Sequence, residues 1–184
     1  MDIASLQSGV YLKASEDASA EMAYLLGLRD FDDGLNYLGT AVEVDRADVK
    51  DKFIIEDHHV LFSSRLRFNA FSLPKDAPET YVASSSFIII KPDLKEVLSE
   101  YLIWFLNHPK TQAVFSMVSQ ATGRVPYINL KKLGQIEIEL PKLNVQEEIV
   151  HINKLRRKEK QLMQDLAQKK EQYIQTILLK LSKQ

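Results

Sequence analysis

One run without a helix breaker constrains this chain more than any other feature. Residues 144–184 contain neither Gly nor Pro, and Pro141 stands just before them. Such a run reads as a single helix. At about 1.5 Å rise per residue it extends roughly 60 Å, more than the width of any globule that the remaining residues can form. It cannot be buried in its own domain. Its apolar positions are Val145, Ile149, Ile152, Leu155, Leu162, Leu166, Tyr173, Ile177 and Leu181, with steps of three, four or seven between them. That is the seam of a coiled coil, not the wider stripe of a core helix. Glu159 and Lys169, or Lys170 beside it, interrupt the seam. Such breaks are costly in a long parallel homodimer. They suit an antiparallel pair, in which the partner sets an opposite charge or a small residue against them. The alternative, a helix packed only on its own globular part, has the length against it.

The 184 residues suffice for one ordinary domain plus this helix. Cysteine is absent, which excludes a disulfide framework, a thiolate metal site and a cysteine nucleophile. The opening MDIASLQSGVYLK lacks a basic start followed by an apolar run, so no secretory signal is expected. No apolar run approaches the length of a membrane span, and the run at residues 87–90 reads as a strand. A soluble cytoplasmic protein with no membrane partner is the expectation. Net charge is -1, unevenly placed. From Val145 onward nine Lys or Arg face five acids, a surplus of four positive charges that leaves the rest of the chain at -5. A basic surface is the usual footprint of a nucleic-acid binder, and the globular part does not carry one by composition.

Along the chain, residues 10–12 are a candidate strand after a turn at Gly9. Residues 21–30 fit a helix through Met22, Leu25 and Leu26 or a buried strand at 23–26. The strand is favoured, because the polar stretch 31–34 closes it as a turn. Apolar segments follow at 41–44, 53–55 and 60–62. Residues 65–71 alternate polar with apolar and read as a half-buried strand whose outward row is Arg65, Arg67 and Asn69. That row is either a solvated sheet face or a set of base-reading side chains, since Arg and Asn make paired contacts to guanine and adenine edges. A two-proline loop at 73–78 leads into a strong buried strand at 81–91. The period then changes to helical at 99–106, Pro109 opens a second helix, and 121–127 is a loop whose Arg124 and Tyr127 are candidate ligand contacts. Residues 128–133 are short and carry Lys131 and Lys132, and 136–140 alternate strictly as a strand ended by Pro141.

Read together, residues 101–150 resemble the specificity (DNA-recognition) subunits of type I restriction-modification systems. The resemblance is carried by Tyr101-Leu102, Thr122-Gly123, Ile128-Asn129-Leu130, the alternating 136–140, Pro141, Gln146-Glu147 and Ile149. Upstream, residues 24–30 look like the family's strand ending in arginine and aspartate, and residues 60–65 look like its strand with a serine-arginine end. His58-His59 stand where the family pattern has Gly-Asp, and the glycine expected after Arg65 is absent. The resemblance implies an α+β fold: a β-rich target-recognition domain with a short helical pair at 1–143, then one long coiled-coil spacer and dimerisation helix at 144–184. One such domain and one such helix, with no internal repeat, look like a half-length subunit. Two copies would pair through antiparallel C-terminal helices and read an interrupted palindrome.

The resemblance further implies a protein of phage defence that performs no chemistry and needs no cofactor. It would place adenine methyltransferase subunits, and in complete systems a translocating nuclease (restriction) subunit, on double-stranded DNA. The candidate DNA contacts are Arg65, Arg67, Asn69, Arg124, Tyr127, Lys131 and Lys132, followed by Arg29 and Lys13. The candidate helix contacts are Ile149, Ile152, Leu155, Leu162, Leu166, Tyr173, Ile177 and Leu181. The enzyme reading finds no Gly-rich phosphate loop, no nucleophile elbow and no Asn-Pro-Pro-aromatic run. Asp57-His58-His59 offers metal-ligand types, yet adjacent histidines on an extended segment point to opposite faces. Asp93 and Lys95 lack nuclease spacing, and Asp93 reads as a helix cap. The competing non-enzymatic reading is a coiled-coil assembly or inhibitory adaptor without a DNA role.

Overall fold

The computed structural model describes residues 3–14, 21–73, 80–119 and 126–182. The two-proline loop and most of the 121–127 loop, Arg124 included, lie outside them. Among the described residues seven strands form: β1 (Ala4–Ser8), β2 (Met22–Leu26), β3 (Val42–Asp45), β4 (Val60–Ser63), β5 (Ala70–Ser72), β6 (Tyr81–Ala83) and β7 (Phe87–Pro92). The helices are α1 (Ser99–Leu106), α2 (Pro109–Ser119), α3 (Leu130–Gly134) and α4 (Leu143–Leu181). The chain divides into two compact units, Met1–Gln146 and Glu147–Gln184. The architecture is α+β, as expected.

In the first unit β1, β7, β4 and β5 make an antiparallel sheet in that order, and β3, β2 and β6 make a smaller one in which β2 and β6 run parallel. Strand side chains alternate between faces, and both faces of the large sheet are covered. Leu61, Phe71, Phe87 and Ile89 turn toward the small sheet's Leu26, Tyr81 and Ala83 to form the main core. Phe31 fills its centre, with ring centroids 4.5 Å from Phe71 and 6.0 Å from Phe87. On the other face Phe62 meets Phe115 of α2 at 5.0 Å. The far face of the small sheet, Ala23, Val44 and Val82, is covered by Val49 and by half-buried Val10, Leu12, Phe53 and Ile54.

The two sheets share one piece of chain. The expected single strand at 81–91 is two strands, β6 and β7, in different sheets, separated by a turn at Ser85 and Ser86. The serines supply local bonds that let the chain leave one ladder and enter the other, with Ser84 Oγ and Ser86 Oγ 2.6 Å apart. Gly9 seals this corner. Its N–H donates to Phe87 O at 3.0 Å and the next N–H, of Val10, donates to Ala83 O at 2.9 Å. A Cβ on Gly9 would lie 2.1 Å from Ser84 O and 2.6 Å from Ala83 O, both backbone atoms.

Further corrections have local causes. The first strand is at 4–8, where it pairs with β7, and Val10 makes only an isolated bridge to Ser84. Residues 51–53 form a 3-10 turn, leaving Ile54 a lone bridge to Val82. Of the alternating 65–71 only Ala70–Ser72 belongs to a ladder, with β4. The segment 136–140 keeps its alternation, Ile136 and Ile138 half-buried and Glu137 and Glu139 exposed, but among the described residues it pairs with no strand. Instead the buried Tyr101 hydroxyl donates to Glu139 O at 2.5 Å. Residues 128–133 contain α3, whose N-cap Asn129 accepts from Lys132 N–H at 2.9 Å. Asp93 caps a turn by accepting from Lys95 N–H, and α1 begins only at Ser99. The long helix starts at Leu143, one residue before the expected start.

Gln146 is fully buried and matched group for group. Its Oε1 accepts from Leu98 N–H at 2.9 Å, and its amide donates to Glu96 O and Pro141 O, both at 2.9 Å. A carboxylate there has no donor for those two carbonyls. Gln146→Glu is therefore expected to destabilise the protein by about 3 kcal/mol or more, as for a buried uncompensated charge, measured as a fall in the urea midpoint at pH 7. Gly9→Ala should cost about 1–3 kcal/mol through overpacking against backbone that cannot yield; an unchanged midpoint would remove Gly9 from its sealing role.

Candidate nucleic-acid interface

The candidate interface is built on the loop between β4 and β5. Ser64 anchors its base: both its N–H and its Oγ donate to Ser86 O at 3.0 Å, and its carbonyl accepts from Ile128 N–H at 3.0 Å. This lays Tyr127 beside Arg65 as an isolated antiparallel bridge, with the Arg65 guanidinium carbon 5.3 Å from the Tyr127 ring centroid. Stacking of this kind holds a guanidinium flat and leaves its N–H edge free to point outward. At the tip, Arg67 N–H donates to Arg65 O at 2.7 Å across Leu66, whose φ is +63°. That i to i+2 bond with positive φ is the strained form of the γ-turn, of order 1–3 kcal/mol for a residue with a Cβ. Phe68, 7% exposed, returns the chain to the core against Phe115.

The expected outward row is thus not a strand face. Arg65 and Arg67 are exposed on either side of the turn, and Leu66, which strict alternation would turn inward, is 73% exposed. Arg67 pairs with Asp33, on the 31–38 loop. Asn69 is half-buried and its amide donates to Asn107 Oδ1 at 3.0 Å. Asn107 also exchanges bonds with Ala70 N–H and O, clamping β5 to the end of α1. Lys132 Nζ donates to Val118 O at 2.9 Å and so satisfies a carbonyl in the last turn of α2. Lys131 is exposed on α3, four residues from Tyr127. Arg29 is exposed, its Nε 3.9 Å from Asp30 Oδ1. Asp30 is fully buried and braces the loop, accepting from Gly27 N–H at 2.6 Å and Thr40 Oγ1 at 2.8 Å. Lys13 is exposed, and among the described residues no bond joins it to the Arg65 cluster. The geometry brings Arg65, Arg67 and Tyr127 together. It gives Asn69 and Lys132 bonds inside the scaffold. Sequence reasoning missed Leu66 and Asp33; the two arginines flanking a leucine were visible, but the turn between them was hidden by the period-2 pattern.

In the second unit Ile152, Leu155, Leu162, Leu166, Tyr173, Ile177 and Leu181 are all exposed, and Met163, Ile174, Leu178 and Leu179 widen the apolar strip beside them. Ile149 is half-buried. Bonds such as Gln161 Nε2 to Asp165 Oδ1 at 2.8 Å and Gln175 Nε2 to Glu171 Oε1 at 2.7 Å link residues four apart along the helix. No helix among the described residues is long and apolar enough to cross a membrane.

Glu56, His58 and His59 place potential ligand atoms within 4.8 Å of one another, so the adjacent histidines do converge, their rings 4.6 Å apart. The chemistry still disfavours a metal. Glu56 N–H donates to His59 Nδ1 at 3.0 Å, which puts the proton of a neutral ring on Nε2 and leaves no lone pair there. Burial, with His58 beside it, pulls the His59 pKa from 6.5 down to about 4 against the pull of Glu56. Between these values the unfolded chain binds a proton that the folded one refuses, so stability falls as pH falls. The denaturation midpoint should drop from about pH 6.5 to about pH 4, and His59→Gln should flatten that part of the slope; an identical slope in both proteins would show that His59 does not carry it.

Comparison with known proteins agrees with this architecture. The family model for the type I restriction modification DNA specificity domain matches residues 2–171. A protein of Methanocaldococcus jannaschii named as the type I restriction enzyme MjaX specificity subunit is 25% identical over 119 residues, covering 62% of this chain and 28% of that protein. The type I restriction enzyme HindI specificity subunit of Haemophilus influenzae is 28% identical over 75 residues, 40% of this chain and 16% of its own length. In fold, the HsdS subunit of Thermoanaerobacter tengcongensis superposes with a TM-score of 0.62 at 15% identity, covering 78% of this chain and 38% of that one. A chain from a structure of type I R-M complex assembly and conformational transition gives 0.58 at 19% identity, covering 87% and 37%. The chain thus spans under a third of each of these curated relatives, and with its matched residues running from the first strand into the long helix, it belongs to the type I restriction modification DNA specificity domain family.

Proposed function

We propose that this protein is a non-catalytic specificity subunit that directs adenine methyltransferase subunits, and a nuclease subunit where one is present, to a bipartite site on double-stranded DNA. The family match over residues 2–171 carries the reading. The stacked Arg65 and Tyr127 and the exposed Arg67 support it chemically, because a two-stranded ribbon fits the major groove and guanidinium pairs with guanine. The first unit, Met1–Gln146, acts as the reader. The exposed seam from Ile152 to Leu181 pairs antiparallel with a second copy and sets the distance between half-sites, so the site is an interrupted palindrome. Arg124, Lys131, Arg29 and Lys13 serve as phosphate contacts, with Asn69 and Lys132 holding the scaffold beside the base-reading tip. The -5 balance outside the helix makes binding by this protein alone weak, since phosphate neutralisation supplies most non-specific affinity, and leaves much of the backbone contact to the partner subunits. The same balance is the one feature that favours an adaptor without a DNA role.

Genome-wide adenine methylation in the host, with and without the gene, decides between them. Loss of one interrupted palindromic motif on deletion is expected. Restoring the gene with Leu162→Asp and Leu166→Asp should fail to restore the motif, and restoring the unaltered gene should succeed. A methylome unchanged by deletion, beside an active methyltransferase subunit, sinks the recognition role.

A further inference from the structure

Leu66 has no structural reason to be a leucine. Its side chain is 73% exposed, so it contributes little to the core. Its backbone sits at φ +63° under the tight Arg65–Arg67 turn, a conformation in which glycine is relaxed and a Cβ is strained. The turn cannot relax, because both flanks are fixed: Arg65 O also accepts from Ser63 Oγ at 2.8 Å, and Phe68 is locked in the core. Strain held in place by its surroundings at an exposed point is the mark of a residue kept for contact. Exposed guanidinium groups stand on both sides of it, that of Arg67 already paired with Asp33, so the surface it fits offers acceptors around an apolar spot.

We propose that Leu66 is a specificity-determining residue that reads the 5-methyl group of a thymine in the major groove. This rests on the DNA-reading function above. The major groove admits a hairpin tip, and the thymine methyl is the apolar feature that it presents among polar base edges. Arg65 and Arg67 bracket the contact, steering the tip into the groove and addressing the neighbouring edges or phosphates. A rigid turn suits this duty because a single methyl discriminates only when the side chain meeting it is held in place.

The test selects a random-sequence duplex library with the full chain assembled with its methyltransferase subunits, comparing the unaltered protein with Leu66→Gly and Leu66→Ala. Leu66→Gly separates contact from scaffold: relief of strain should keep its melting temperature equal or higher. Both variants should lose preference for thymine at one position of each half-site while retaining the other positions. Replacing that thymine by uracil, which removes only the methyl, should weaken binding by the unaltered protein about three- to five-fold and leave Leu66→Gly unaffected. If the unaltered protein selects no motif, the DNA-reading function itself fails. If it selects a motif that both variants also select with equal affinity, Leu66 is no reader. If the variants lose a position at which uracil is as good as thymine, the methyl contact is overturned.

Discussion

The backbone of Gly9 touches the carbonyls of Ala83 and Ser84 at the point where the chain passes from the small sheet to the large one, and the rest of the unit depends on that contact. With the corner closed, β6 and β7 can face each other across one apolar core while each completes its own ladder. The same corner supports the candidate interface. Ser86 O, just past the change of sheet, accepts both bonds from Ser64. Ser64 in turn holds Ile128, and so sets Tyr127 against Arg65. A packing constraint in the core thereby bears on the position of a guanidinium at the surface, through the hydrogen-bonded Ser86, Ser64 and Ile128.

Elements with one dominant signal were legible in the sequence. The long helix declared itself by the absence of Gly and Pro, and α1 and α2 by the change of period and by Pro109. β2, β3 and β4 were visible as short apolar runs bounded by polar turns. What failed were places where local pattern and tertiary pairing disagree. Residues 136–140 alternate as a strand should, but a strand needs a partner, and Tyr101 takes the place of one. Residues 81–83 and 87–90 are apolar, and nothing in either run says that the two belong to different sheets; only the small serines at 84–86 hint that the ladder breaks. Residues 65–71 show the converse. Alternation there is coincidental, because a tight turn occupies the middle of it.

The residues that carry the family resemblance mostly hold the scaffold. Tyr101, Asn129, Gln146 and Asp30 each satisfy backbone groups that would otherwise be orphaned in the interior or at a helix start. Such duties restrict a position to a side chain with the right donors and acceptors, as the three bonds of Gln146 show. The candidate site was legible only in part for the same reason. Arg65 and Tyr127 could be named from chemistry, but Asn69 and Lys132 offer the same functional groups and spend them on Asn107 and Val118. Residue type alone does not distinguish an exposed side chain from one that closes a helix. The glycine expected after Arg65 is replaced by Leu66, and its φ of +63° gives the physical reason a glycine would suit that position.

The acidic balance of the globular part then falls into place as a matter of where charge is needed. Long-range attraction to DNA scales with the number of phosphates neutralised and is lost as salt rises. Discrimination among bases requires a few rigid groups at short range, whose worth does not depend on the net charge of the domain. On the proposed function, a hairpin tip with Arg65 over Tyr127 and Arg67 paired with Asp33 would supply the second without the first. On the same reading the Asp33 carboxylate would set a threshold: Arg67 would exchange it only for a site that offers an acceptor in the right place, so a randomly placed phosphate would gain less than from an unpaired arginine. The surplus of positive charge lies from Val145 onward, on the helix. Base reading, on the proposed function, falls to the first unit, while the positive surplus available for long-range attraction lies on the helix. On that proposal the separation would keep the protein off most DNA when alone and let it bind firmly only within an assembly.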